Sequence, residues 1–411
     1  MRIRDASLSE SLGLHPLDRG HEKNLTGGLR TNVSGNGWSA LRSDLRGTLL
    51  RALAPARADE DRPPLPRFRE RAPWGGCADG GDLGTIGGQR ALGGPRFNVH
   101  ISANGYEWFY LDAVSDDRKH AMVIIGMLGN VFSPSYARAR KNGKLVDPLN
   151  FSTMNVALYE LGANGKKRTH WALTERGRHE IKRSETRLDI GPSRMQWEDG
   201  TLVVHLDEIT APFRTPLRGT VRVTPSAWSN ESVAIDAAGK HEWRPYAPKA
   251  RVSAYFSAPA LSFEGEGYLD SNRGECALET SFREWTWSRM TLQDGSVVVA
   301  YDCTLTNGER TSDLRHLTAH GVHSLSPTVL ETRPLPSLNW GLARGVRADR
   351  ASSARMLAPL EDGPFYGRAL VEATVLGQPA IGTHEVVSLE RFDRAWVQFL
   401  LPFRMIDARA R

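Results

Sequence analysis

From Phe97 onward, short runs that alternate apolar and polar residues are separated by Asn104-Gly105, Asn142-Gly143, Asn164-Gly165, Asp199-Gly200, Asp294-Gly295 and Asn307-Gly308. Asn-Gly and Asp-Gly pairs supply the positive φ angles that two-residue hairpin turns need. The clearest strand runs are Glu107–Val114, Ala121–Leu128, Asn155–Tyr159, Leu202–Leu206, Val252–Phe256, Ser296–Thr304 and Trp396–Leu400. Helical spacing is nearly absent, with Ser133 to Lys144 as the exception. Many short strands, tight turns and no alternating helices predict an all-β sandwich or barrel.

A chain of 411 residues is long for one ordinary domain. Tyr110-Leu-Asp112 and Tyr268-Leu-Asp270 repeat a Tyr-x-Asp pattern 158 positions apart (270 − 112), which suggests two similar β domains in tandem. A Pro- and Gly-containing stretch, Asp236 to Arg251, falls near the middle of the strand-rich part. The expected organisation is therefore a tail over 1–96, a first β domain over 97–245 and a second over 246–411. The tail is rich in Arg, Gly and Pro, a composition that buries too little apolar area to order itself. Within it, Leu41, Leu45, Leu49 and Leu53 are spaced for a short helix over Ser39–Ala54.

Charge excludes one class of partner. Of the formal net charge of +6, +4 lies in residues 1–97, which hold 15 Lys and Arg against 11 Asp and Glu. The rest is nearly balanced, and with no patterned basic helix or aromatic RNA-binding motif a nucleic-acid partner is not expected. Three unpaired-looking cysteines, Cys77, Cys276 and Cys303, fit a reduced, cytoplasmic setting. The longest apolar stretch, Ala121 to Phe132, is interrupted by Gly126, Gly129 and Asn130 and is far short of the roughly 20 residues of a membrane helix.

Three pairs of residues at i and i+2 put chemistry on one strand face: His241 with Trp243, Tyr268 with Asp270, and Trp285 with Trp287. If the strands are neighbours, these pairs enclose an aromatic pocket holding one carboxyl group and one imidazole. Each pair alone is equally compatible with a core ring beside a rim acid, or with a structural histidine. Gly265 and Gly267 empty the opposite face, a mark of close backbone approach. His316, His320 and His323 have metal-like spacing, but no carboxylate completes a set and a structural role is the expectation.

Several segments together resemble the carotenoid 1,2-hydratases, also called hydroxyneurosporene synthases. They are Gly105 to Asp117, Val131 to Tyr136, Asn155 to Tyr159, Trp171 to Gly177, His241 to Pro245, Gly267 to Asn272, Asp362 to Arg368 and Leu401 to Arg404. The resemblance runs in order from about Phe97 to Arg404 and leaves out the tail. It implies two lipocalin-like antiparallel β-barrels and cofactor-free addition of water to the terminal double bond of acyclic carotenoids such as neurosporene and lycopene. It carries catalytic roles to Asp270, His241, Tyr268 and Trp243. Trp285, Trp287, Trp108, Tyr110, Phe132 and Tyr366 are the expected substrate-binding residues.

The chemistry then assigns parts. An isolated alkene must be protonated at carbon, so Asp270 must stay a neutral acid, as an apolar pocket favours. Electron-rich rings, Trp243 and Tyr268 first, would face the developing cation. His241 would either keep Asp270 protonated or orient the attacking water. A cofactor-free cyclase or isomerase, or a non-catalytic carotenoid or lipid carrier, remains open beside this reading. A lipid-dissolved substrate also calls for peripheral contact with a membrane. Val123 to Phe132 followed by Arg138, Arg140, Lys141 and Lys144 could supply it, unless that run is a buried strand with solvated cations after it.

Overall fold

The computed structural model describes residues 93–143, 145–162, 167–318 and 320–409. The Ser39–Ala54 helix, the Asn164-Gly165 turn, Cys77 and Lys144 lie outside the described residues. Within them the chain is mostly antiparallel strand, a lipocalin-like, all-β architecture of curled sheets. Asp199 and Gly200, with φ of 47° and 80°, make the tight turn between Ser193–Glu198 and Thr201–Ile209 that their sequence signals.

One sheet contains thirteen of the described strands. Its central order is Lys167–Arg176, Ser152–Leu161, His120–Leu128, Tyr106–Ser115, Ala260–Gly274, His241–Ala258, Pro216–Ala227 and Thr201–Ile209. One face carries Phe109, Leu111, Ile124, Met154, Val156, Val204, Val221, Phe256 and Leu269 in a continuous apolar core. The opposite face of the same central strands carries Tyr106, Trp108, Tyr110, Val123, Ile125, Met127 and Tyr268, and packs against Trp285, Trp287, Val299 and Tyr301 of a second sheet. Tyr106–Ser115 is therefore buried on both faces, which explains its almost unbroken aromatic and aliphatic composition. The close approach signalled by Gly265 is present: a Cβ there would lie 2.2 Å from the Val114 carbonyl oxygen.

The second sheet has seven strands in the order Gly321–Leu325, Arg310–Thr318, Val297–Leu305, Phe282–Leu292, Gln378–Ser388, Tyr366–Val375 and Arg355–Asp362. The chain passes from the first sheet to the second after Gly274. The expected halves 97–245 and 246–411 do not coincide with the sheets, because the strand His241–Ala258 runs straight through position 245.

The two Tyr-x-Asp segments are not corresponding strands of separate domains. They pair antiparallel with one another in the first sheet, Tyr110 opposite Asp270 and Asp112 opposite Tyr268.

One further expectation needs correction, and one open choice is resolved. Trp396–Leu400 forms part of the helix Ala395–Leu400, with Val397 buried and Trp396 and Phe399 exposed; a five-residue apolar run does not by itself distinguish a strand from a helical turn. Val123, Ile125 and Met127 are buried between the sheets, and Arg140 is paired at 3.0 Å with Glu279, so this stretch is core and not an exposed lipid-binding surface. The helical expectation over Ser133–Lys144 corresponds to the helix Pro134–Lys141, capped by the Ser133 hydroxyl. No described helix is long and apolar enough to cross a membrane.

Candidate active site

The face shared by the two sheets encloses a cavity. On Ala260–Gly274, the alternation that points Leu269 and Ser271 one way points Tyr268, Asp270 and Asn272 the other, toward the second sheet. The neighbouring strand places Tyr110 opposite Asp270 and Trp108 opposite Asn272. On the other side, Trp243 lies opposite Asn272, and register shifts follow immediately at Arg244/Ala247 and Ala247/Ala250. Such irregularities re-aim side chains locally. Here the Trp243 indole N–H donates to Asp270 Oδ2 at 2.8 Å, and the Tyr268 hydroxyl donates to the same oxygen at 2.9 Å.

Asp270 Oδ1 is buried and has no partner among the described residues. Burial pushes the Asp270 carboxyl up from 3.8 to about 8. The Trp243 and Tyr268 hydrogen bonds oppose this, while the nearby Glu385 and Asp112 carboxylates add to it. At neutral pH the site holds a neutral carboxylic acid with one oxygen fixed by two donors and the other bare.

All six expected substrate-binding residues, Trp108, Tyr110, Phe132, Trp285, Trp287 and Tyr366, line the cavity together with Asp270. Their rings contact one another and a further lining ring: Tyr110 and Trp287 lie 5.5 Å apart, Trp108 and Phe132 6.4 Å, and Phe132 lies 5.5 Å from Phe365. Trp243 and Tyr268 stand behind that wall, reaching the cavity through the carboxyl group they hold.

His241 is placed differently. Its Nδ1 pairs with the Tyr106 hydroxyl at 2.9 Å and its Nε2 with Ser281 Oγ at 2.9 Å, with the Cys276 thiol at 3.5 Å. Burial lowers its pKa from 6.5 to about 4, so the imidazole is neutral near pH 7. Gly274 makes this arrangement possible, since a Cβ there would lie 2.5 Å from His241 Nδ1. The ring is not part of the cavity wall. It fixes Tyr106, which stacks on Trp108 at 4.8 Å.

Residues not singled out from the sequence complete the wall. Asn272 Nδ2 donates to the Tyr301 hydroxyl at 3.3 Å, and both line the cavity. Asn272 was within reach of the strand argument, because it continues the parity of Tyr268 and Asp270. Glu385 and Arg368, paired at 2.7 Å, also face the cavity, and the Tyr110 hydroxyl donates to Glu385 at 2.8 Å. They come from strands more than 90 residues beyond Asp270, and no local pattern ties them to it. The histidine trio is not gathered: His316 and His323 face each other across a hairpin, and His316 binds Ser296 at 2.9 Å.

Residues 124–411 match the family model described as carotenoid hydratase CrtC. The chain belongs to that family. It is 44% identical over 337 residues to the acyclic carotenoid 1,2-hydratase of Thiocapsa roseopersicina, covering 82% of this chain and 81% of that one. Against the enzyme of the same name from Rubrivivax gelatinosus it is 38% identical, covering 98% and 99%. Among solved structures, it is similar to a crystal structure from Nitrosomonas europaea assigned as AttH, with TM-score 0.50 and 14% identity over 70% of this chain and 94% of the other. That likeness is one of fold.

Proposed function

We propose that this member of the carotenoid hydratase family adds water across the terminal C1=C2 double bond of acyclic carotenoids, with Asp270 as the acid. The observation that carries the reading is the bare Oδ1 of a buried, neutral Asp270 in an aromatic cavity. The names of the relatives in Thiocapsa roseopersicina and Rubrivivax gelatinosus support the substrate class.

The alkene π electrons take the Asp270 proton at C2, leaving a tertiary cation at C1. Water attacks C1, and the proton it releases returns to the carboxylate. Oxidation states balance without an electron carrier, so the reaction as written needs no redox cofactor. Trp285, Trp287, Trp108 and Tyr110 face the developing cation, each well-placed ring contributing about 0.5–2 kcal/mol.

As the proton leaves, charge develops on a carboxylate already held by Trp243 and Tyr268. Donors that bind the charged form more strongly than the neutral one lower the barrier. Asn272 and Tyr301 offer polar seats for the water on the same wall. His241 acts as a positioning residue through Tyr106 and Trp108.

Expression of the chain in lycopene-producing bacteria, followed by mass spectrometry of the pigment, tests the reading. A gain of one water that disappears in Asp270→Asn supports it. Pigment rearranged at constant mass would favour a cyclase or isomerase instead, and bound but unchanged pigment would favour a carrier.

A further inference from the structure

The wall that holds Asp270 also includes Trp171, Leu401, Arg404 and Met405, each partly exposed, as are Phe132, Pro364 and Tyr366. Leu401 and Arg404 bring the C-terminal helical segment, Ala395–Leu400 followed by Leu401–Arg404, to the partly exposed side of the cavity. Val397 anchors this segment in the core, while Trp396, Phe399 and Phe403 project outward, 47%, 63% and 51% exposed. Phe399 and Phe403 pack on each other at 5.7 Å, and Trp396 stacks on Trp340 at 5.9 Å.

A second element reaches the same rim. The turn Thr210–Thr215 is tied to Trp171 by the Ala211 N–H at 2.9 Å, and the Trp171 indole N–H donates to the Arg404 carbonyl at 3.1 Å. That turn carries Phe213, 78% exposed, next to the exposed Arg214. Arg391, beside the helical segment, spends its guanidinium on the Trp340 and Gly341 carbonyls, and among the described residues no carboxylate pairs with it.

We infer that this rim is a bilayer-docking surface: Trp396, Phe399, Phe403 and Phe213 insert at the lipid interface, and a mouth lined by Leu401, Arg404 and Met405 receives the end of the polyene directly from the membrane. The amphipathic Trp396 indole favours the interfacial zone, the phenyl rings favour the acyl boundary beneath it, and Arg214 and Arg391 favour anionic headgroups. Large exposed rings clustered around a cavity mouth are unfavourable in water and are accounted for by a surface that covers them. The inference rests on the hydration reading only for the identity of the passenger.

Flotation of the full chain with phosphatidylcholine vesicles, with and without phosphatidylglycerol, tests it. The parent protein should float, more so with phosphatidylglycerol. The variant Trp396→Ser/Phe399→Ser/Phe403→Ser should float at least about tenfold less, and Phe213→Ser should lose a smaller share. Both variants should still turn over polyene presented in neutral detergent micelles. Failure of the parent to float, or equal flotation of the triple variant, overturns the proposal. So does a triple variant that only converts a dimer into monomers, because the patch would then join two copies. Flotation is read without turnover, so loss of hydration in detergent by the parent protein would strike the catalytic reading and leave docking standing.

Discussion

Tyr110-Leu111-Asp112 and Tyr268-Leu269-Asp270 are the same three-residue pattern on adjacent strands, paired so that each aspartate faces the other's tyrosine. Both aspartates are buried. Arg289 reaches Asp112, with Nη2 at 2.5 Å from Oδ1, and the pair lies behind the cavity wall. Among the described residues no cation is paired with Asp270, which has the uncharged donors Trp243 and Tyr268 on one oxygen and no partner on the other, in the cavity wall. One carboxyl group is thereby committed to an internal ion pair, and the other is kept as an acid. Identical local sequence says nothing about which is which, because the difference is one guanidinium delivered from the second sheet.

The comparison breaks most sharply at the carboxyl groups themselves. Asp270→Asn is expected to lower hydration by about 10²–10⁴-fold, the range for a general acid, while the protein stays folded. Pigment mass and thermal melting check both halves. Arg289→Met should act the other way, costing about 3–5 kcal/mol of stability by stranding Asp112, measured by denaturant unfolding. Adding Asp112→Asn to it should restore most of that loss, since no uncompensated charge remains.

Tyr268→Phe removes one of the two donors that stabilise the Asp270 carboxylate. It should slow turnover about tenfold and move the alkaline limb of the pH–rate profile upward, because losing a donor to the charged form raises the pKa further. In the parent protein, activity should fall as pH rises through about 8, where Asp270 loses its proton.

A further effect, which grows with pH, is on stability. The folded state holds the Asp270 proton up to about pH 8, whereas the unfolded chain gives it up near 3.8. This contribution is complete below pH 3.8 and is lost as pH rises to about 8. Asp270→Asn should therefore melt at progressively higher temperature relative to the parent between pH 5 and about 8. A constant difference across that range would show that Asp270 is not the titrating group.

Much of the site was legible because strands have a period of two. Tyr268 and Asp270, His241 and Trp243, and Trp285 and Trp287 share faces as their spacing requires, and the aromatic segments of the family resemblance converge on one cavity. His241 could be placed near these residues but not given its partners, since Tyr106 and Ser281 come from 135 and 40 positions away. The run Trp396–Leu400 reads as strand because its apolar residues do not reveal that three aromatic side chains at and after it face outward from a helical segment.

By itself, the sequence determined that the chain is built of short antiparallel strands, that tight turns join them, and which side chains share a face. Local sterics and alternation are enough for that. Only the tertiary structure decided that the two Tyr-x-Asp segments lie side by side, that Arg289 neutralises one of them, and that the other keeps its proton. Those outcomes depend on electrostatic and desolvation energies between groups far apart in the chain, and such energies exist only once the sheets have packed.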